Sequence, residues 1–452
     1  MTPEEFRKRG HQLVDWIADY RTKVADFNVM AQTAPGEIRA QLPASPPESA
    51  ESFDAIFSDL EEIILPGLSH WQHPSFFGYF PSSGLLSSVL GDYASTGLGV
   101  LGLSWQSSPA LTELEEVTTD WMRQMVGLSN NWSGVIQDTA STCTLIALIC
   151  AREKSGNIVY VSAHSHSSVN KAAVLAGLTT HVVEHDQYFA MRADALEAAI
   201  ERDLAAGLKP CAVVATTGTT VSTALDPIES IARVAKKYDI WLHVDAAMAG
   251  SAMILPECRS MWQGIEDADS LVLNPHKWLG IAFDCSLYYV RDAQHLIRVM
   301  STNPSYLQSS ADTQVKNLRD WGIPLGRRFR ALKIWFAVRE QGVSGLQKRL
   351  RRDMENAQWL AEQVRATPNW SVLAPVPLQT VCIRHQPKGL EGEDLDRYTQ
   401  AWAERVNRSG KAYLTPAILD GRWMVRVSIG AILTEREHVE ALWVLMQQLV
   451  RP

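Results

Sequence analysis

Residues 269–280 read Asp-Ser-Leu-Val-Leu-Asn-Pro-His-Lys-Trp-Leu-Gly. The apolar run Leu271-Val272-Leu273 predicts a buried strand. It breaks at Asn274-Pro275 and presents His276, Lys277 and Trp278 just past its end. Desolvating an ammonium is costly, so lysine is rarely buried without a reason. A lysine placed there suits an amine used for chemistry, because burial frees its lone pair for a Schiff base. A second apolar run, Ile240–Asp245, ends on a carboxylate followed by Ala246 and Ala247. Asp245 and Lys277 are 32 positions apart (277 − 245), about one strand–connection–strand unit, so they can occupy neighbouring strand ends. Alone, the aspartate reads as a turn or cap and the lysine as a solvated side chain. The pair at this spacing, with Asn-Pro-His ahead of the lysine, favours chemistry.

Pyridoxal phosphate needs such a pair. The lysine holds its aldehyde as an imine, and the aspartate keeps the pyridine nitrogen protonated so that the ring accepts electrons. Ala247 is small enough for a flat ring to lie against it. Residues 134–145, Gly-Val-Ile-Gln-Asp-Thr-Ala-Ser-Thr-Cys-Thr-Leu, read as strand, polar turn and helix start, where exposed N–H groups of Ala140 and Ser141 suit a phosphate; ordinary N-capping is the competing reading. The P-loop and dinucleotide glycine patterns are missing. His164 and His166 follow another apolar run, Ile158–Ser162. One of them could stack on an aromatic cofactor. A metal site with His181 or His185 is disfavoured, since no convincing carboxylate or cysteine set accompanies them, and no metal is expected. Residues 216–220, Thr-Thr-Gly-Thr-Thr, offer hydroxyls at another strand end.

A chain of 452 residues exceeds one core, and 46% hydrophobic with 20% charged residues is ordinary for a globular chain. A net charge of −8 argues against nucleic acid or an anionic membrane as partner. The charged start Met1-Thr-Pro-Glu-Glu-Phe-Arg-Lys-Arg lacks the apolar core of a secretory signal, and no apolar run reaches the ~18 residues of a membrane span. A cytoplasmic protein is expected. The six cysteines are scattered without C-x-x-C and read as reduced core thiols.

Helical periodicity over 3–30 and 53–66, separated by Pro43-Ala-Ser-Pro-Pro47, predicts an N-terminal helical extension over 1–83. From 84 to 340, short apolar runs alternate with helical stretches: Gly134–Gln137, Ile158–Ser162, Ala212–Thr216, Ile240–Asp245, Ser270–Leu273 and Ser286–Val290. That is the α/β signature of a mostly parallel sheet in a large domain. A charged helix over 345–366, strands at 372–373, 380–384 and 423–428, and a last helix at 434–450 predict a small α+β domain over 341–452.

The motifs together resemble the pyridoxal-phosphate-dependent aromatic L-amino acid decarboxylases, and DOPA-decarboxylase-like bacterial members in particular. They are His73-Pro-Ser-Phe-Phe-Gly-Tyr-Phe-Pro81, Ser104-Trp105 with Ser108-Pro109, His166-Ser-Ser-Val169, Trp241-Leu-His-Val-Asp-Ala-Ala247, Asn274-Pro-His-Lys277 and Ile323-Pro-Leu-Gly-Arg-Arg-Phe-Arg330. The resemblance spans nearly the whole chain. It implies a fold-type-I enzyme with a seven-stranded sheet, working as a homodimer with shared active sites. By that resemblance Lys277 carries the cofactor and Asp245 pairs with its ring nitrogen. His166 stacks on the ring opposite Ala247 and orients the substrate carboxylate. Ala140, Ser141 and Asn274 hold the phosphate, with Thr220 and His276 also beside the cofactor. Trp71, Tyr79, Phe80 and Ser82 line the substrate pocket together with Gly326, and Leu101 and Leu103 come from the partner subunit. Tyr306 returns a proton to Cα after carbon dioxide leaves.

The aromatic segment 71–81 and the apolar Leu101 and Leu103 favour a neutral aromatic substrate. L-DOPA comes first because Ser82 can hydrogen-bond a ring hydroxyl, and Gly326 leaves room for indoles. Two departures from the family pattern stand out: Met248 where an aromatic residue is usual in animal members, and only residues 154–157 where a longer insertion is usual. Three other readings compete. An aldehyde synthase typically has Phe in place of Tyr306. A glutamate or diaminobutyrate decarboxylase would need charged pocket partners. A non-catalytic binding protein would be expected to have lost Lys277, Asp245 or His166.

Overall fold

The computed structural model describes residues 1–154, 156–302, 312 and 314–450. Contacts divide the chain into two compact units. One comprises residues 1–81, 362–371 and 383–452, the other residues 82–361 and 372–382.

The larger unit is built on a seven-stranded sheet. Its strands are β1 (Ser133–Gln137), β2 (Ile158–Ser162), β3 (Thr179–Val183), β4 (Pro210–Thr216), β5 (Trp241–Asp245), β6 (Ser270–Leu273) and β7 (Ser286–Val290), in the spatial order β1-β7-β6-β5-β4-β2-β3. All pairs are parallel except those of β7, which runs against both β1 and β6. This is the fold-type-I architecture expected from sequence. The six apolar runs match β1, β2 and β4–β7 to within two residues. Strand β3 escaped that reading because Thr179-Thr-His-Val-Val183 sits at the sheet edge and is only partly buried. In contrast, every residue of β2, β5, β6 and β7 is buried, as strands covered on both faces require.

Because β1, β2, β4, β5 and β6 point the same way, their carboxyl ends share one edge of the sheet. Ligands of α/β proteins bind outside that edge. Each strand there delivers one predicted segment: residues 138–141 after β1, 164–166 after β2, 217–220 after β4, 245–247 at the end of β5 and 274–277 after β6.

The other unit joins the N-terminal segment to β10 (Thr415–Leu419) and β11 (Arg422–Ser428) of a second sheet, which also includes β8 (Trp370–Val372) and β9 (Thr380–His385) in the order β10-β11-β9-β8. The first helix, Pro3–Lys23, opens on a capping box between Thr2 and Glu5, with Pro3 in its first turn. The N-terminal segment is stitched to the rest of its unit through the backbone: Val29 N–H to the Gly410 carbonyl at 2.8 Å, Phe77 N–H to Tyr413 at 2.9 Å, and Ser428 N–H to Phe77 at 2.9 Å. The helical stretch Ala331–Ala366 contains, as its second part, the helix expected over 345–366. It is broken at Gly342, whose φ of 62° and ψ of 166° only glycine adopts readily. Among the described residues no helix is long and apolar enough to cross a membrane, and all six cysteines are free and buried.

Candidate active site

Strand register builds the site. Asp245 lies opposite Thr216 of β4 on one side and Val272 of β6 on the other. The Asp245 carbonyl accepts Thr217 N–H at 2.9 Å, and one carboxylate oxygen accepts Ala247 N–H at 3.0 Å. The residue is buried. Asn274 N–H then bonds the Ala247 carbonyl at 2.9 Å, and Lys277 N–H closes a turn on the Asn274 carbonyl at 3.0 Å. The Asn274–Ala247 bond ties the aspartate segment to the lysine segment, and the others shape the two segments themselves and join Asp245 to the end of β4.

His166 caps the helix Ser167–Leu175. Its Nδ1 accepts Ser168 N–H at 3.1 Å and lies 2.7 Å from Ser168 Oγ. That fixes the neutral tautomer with the proton on Nε2. Although part of the residue faces solvent, desolvation lowers its pKa first; Lys277 lowers it further and Asp245 opposes. His166, Asp245 and Lys277 therefore share one electrostatic neighbourhood. His276 is buried, its pKa pushed down to about 4 chiefly by desolvation and then by Lys277. Its Nδ1 accepts Cys285 N–H at 3.0 Å, so this side chain is committed to holding the lysine loop.

Ala140 and Ser141 open the helix Ala140–Lys154, so their N–H groups precede the first intrahelical acceptors. Across from them, Ser286 donates its hydroxyl proton to Asn274 Oδ1 at 2.6 Å and lies 3.3 Å from the Asp138 carbonyl. Asn274 is left with its NH2 as a donor. Two helix N–H groups plus an amide NH2 form a donor set suited to a phosphate. Thr220 is half-buried beyond β4, and Ala247 is half-buried beside Asp245.

The residues fit pyridoxal phosphate on two further observations. Among the described residues, the buried Oγ1 atom of Thr216, in register with Asp245, has no hydrogen-bond partner. The second oxygen of Asp245 takes no hydrogen bond from the described residues, which leaves it open to a protonated ring nitrogen.

Among the expected substrate contacts, Ser82 lies in the larger unit and donates to the His276 carbonyl at 2.6 Å. Gly326 has open space where a Cβ would stand. Leu101 is exposed, and its loop is held by Gly102 N–H to the Arg327 carbonyl at 2.9 Å and Arg319 N–H to the Leu103 carbonyl at 3.2 Å. In the other unit Trp71 stacks on Tyr79 at 5.5 Å and 7° between planes, while Arg426 covers one face of Phe80 at 4.7 Å. Tyr306 lies outside the described residues.

Sequence reasoning missed several supports. Glu115 and Arg327 form a buried ion pair at 2.7 Å. Glu115 also accepts Ile136 N–H at 2.9 Å and Arg327 bonds the Ile136 carbonyl, which pins β1 just before the Ala140–Ser141 turn. Arg327 stood in a quoted motif; Glu115 carried no signal, being one acid among several on its helix. Asp226 accepts Thr216 N–H and Met191 N–H, each at 2.7 Å, and burial raises its pKa to about 7. Tyr413 donates to the Tyr79 hydroxyl at 3.0 Å and was invisible so far along the chain.

The pyridoxal-dependent decarboxylase conserved domain matches residues 35–386. Tyrosine decarboxylase 4 of Petroselinum crispum is 40% identical over 99% of this chain and 93% of its own length. Phenylacetaldehyde synthase of Arabidopsis thaliana is 39% identical over 99% of this chain and 96% of its own. The solved Oryza sativa TDC with PLP and tryptamine superposes with a TM-score of 0.97 at 34% identity, covering 100% of this chain and 98% of that one. With pyridoxal 5′-phosphate as its cofactor, this chain belongs to the pyridoxal-dependent decarboxylases, within their aromatic-amino-acid group.

Proposed function

We propose that the chain decarboxylates an aromatic L-amino acid to the amine and carbon dioxide, with L-DOPA preferred and 5-hydroxytryptophan, tryptophan, tyrosine and phenylalanine behind it, in the manner of a DOPA decarboxylase. The observation that carries this is the placement of Lys277, Asp245 and His166 at the carboxyl ends of β6, β5 and β2, on one edge of the sheet. When bound, pyridoxal phosphate supplies an electron sink for the bond that breaks.

The chain's own residues do the rest. Lys277 holds the cofactor covalently and yields its place to the substrate amine. Asp245, buried and with one oxygen open, holds a proton on the ring nitrogen. His166, with Nδ1 committed to Ser168, presents Nε2–H to the substrate carboxylate. Ala140, Ser141 and Asn274 anchor the phosphate. Trp71, Tyr79 and Phe80 meet the substrate ring, and Tyr306 returns the proton to Cα.

The relatives named above include a tyrosine decarboxylase and an aldehyde synthase, and the superposed TDC holds tryptamine. The presence of Tyr306 in place of Phe favours the amine as product. We further propose a homodimer. Leu86, Leu90 and Tyr93 form an exposed apolar stripe on the helix Leu86–Leu98, continued by Leu98 and Leu101, and contiguous apolar surface of this kind is normally covered by a partner. A cytoplasmic setting suits six unpaired, buried thiols.

The test is kcat/KM across L-DOPA, 5-hydroxytryptophan, tryptophan, tyrosine, phenylalanine, histidine and glutamate, with products identified. Aromatics should lead. Glutamate outpacing every aromatic substrate overturns the reading.

A further inference from the structure

Trp278, the residue after Lys277, is fully buried and held at both ends by one helix. Its indole N–H donates to Asp353 Oδ2 at 3.0 Å, and its carbonyl accepts from Arg349 at 2.6 Å. Arg349 and Asp353 are one helical turn apart, on the stretch that follows the break at Gly342, and lie 3.8 Å from each other. Arg352 adds bonds of 3.1 and 3.2 Å to the other carboxylate oxygen.

Burying an arginine and an aspartate is unfavourable, and a pair of well-packed apolar side chains often serves stability as well or better. Here the charges converge on the single residue that follows the lysine. Lys277 itself is fixed by two bonds of its own turn, its N–H to Asn274 at 3.0 Å and its carbonyl from Gly280 at 3.3 Å. Trp278 anchors that turn on the side that follows the lysine, as His276 and Asn274 do on the side that precedes it.

We propose that Asp353 and Arg349 are positioning residues for Lys277, acting through Trp278 to hold the lysine amine where it bonds the cofactor aldehyde. The inference rests on the assignment of Lys277 above. In that step the amine nitrogen attacks the aldehyde carbon, a carbon–nitrogen double bond forms, and the aldehyde oxygen leaves as water. The clamp touches none of the reacting atoms; it limits the lysine's reach and direction.

The experiment compares wild type with Trp278→Phe, Asp353→Leu and Asp353→Asn. Pyridoxal phosphate is added to each apo-protein. Four quantities are read: its dissociation constant, the rate at which the bound band forms, the lysine labelled after borohydride reduction (by peptide mass), and the apo-protein melting temperature. Trp278→Phe keeps the ring but loses the N–H, and Asp353→Asn keeps an acceptor for it. Trp278→Phe and Asp353→Leu should weaken cofactor binding and slow band formation about ten- to a hundredfold, the range for a hydrogen bond to a charged group. Asp353→Asn should recover most of that loss. A lower melting temperature with unchanged cofactor affinity and labelling rate means the network serves stability alone and overturns the proposal. If Asp353→Leu fails to fold, Trp278→Phe decides by the same readings. Label on a lysine other than Lys277 in wild type overturns the Lys277 assignment as well; label on Lys277 with unchanged rates in the variants overturns only the clamp.

Discussion

Ser82 gives its hydroxyl proton to the carbonyl of His276 over 2.6 Å, one residue from Lys277. Its oxygen keeps lone pairs but no free proton, so towards a substrate it can only accept. A ring hydroxyl of L-DOPA or tyrosine can donate to it; phenylalanine cannot. Ser82→Ala should therefore lower the ratio of kcat/KM for L-DOPA over phenylalanine about fivefold, the worth of an ordinary hydrogen bond. An unchanged ratio removes Ser82 from substrate recognition and leaves it as a support of the lysine loop.

Replacing Lys277 tests the centre of the site. Lys277→Ala should leave the fold intact, since the residue is only half-buried, but abolish turnover and the cofactor's absorption band near ~420 nm. Retention of more than about a tenth of the wild-type rate, a deficit of only ~1.4 kcal/mol in the barrier, contradicts the assignment.

Tyr306→Phe should divert product from amine to aldehyde. Without its proton donor, the carbon that has lost carbon dioxide waits longer, and dioxygen competes for it. Amine, aldehyde, ammonia and hydrogen peroxide measured in one reaction decide the matter. Full amine yield without peroxide assigns the proton to another group.

His243 makes the fold acid-sensitive. It is fully buried under Asp245 on the same strand, bonded to Ser270 at 2.9 Å, and burial pushes its pKa down to about 4. An unfolded histidine titrates near ~6.5, so between these values the unfolded chain binds the extra proton. Its contribution is whole above pH ~6.5 and is lost as pH falls towards 4, by roughly 3 kcal/mol. Asp226 and Asp353, raised by burial to about 7 and about 6, act in the opposite sense. The clean reading is therefore a difference. Urea midpoints followed from pH 7 to 4.5 should fall less steeply for His243→Gln than for wild type. Parallel curves would falsify the assignment of this group.

The apolar stripe of the helix Leu86–Leu98 predicts self-association. Leu90 is 49% exposed at its centre. Leu90→Glu should shift a dimer to monomer in sedimentation equilibrium while leaving the monomer's circular dichroism unchanged. Wild-type protein that stays monomeric at micromolar concentration refutes the dimer outright.

The sequence by itself determined the chemistry and most of the sheet. Five of the seven strands lie inside the sheet and are rich in buried apolar residues, and β1 at its edge still buries Val135 and Ile136, so six announced themselves as runs and the polar turn residues after them stood out by contrast. Lys277 and Asp245 were legible because a charged residue at the end of such a run is exceptional. The edge strand Thr179–Val183 and the strand Thr415–Leu419 were not, since partly exposed strands carry no continuous apolar signal. Tertiary structure alone decided the supports. Ser286 sets the direction of the Asn274 amide, Glu115 meets Arg327 from 212 positions away, and Asp353 reaches the Trp278 indole from 75 positions away. Each is a polar residue made important only by its partner. Hydrogen bonds and ion pairs act over a few ångströms, and which residues come that close is set by the path of the chain through space, which local sequence does not encode.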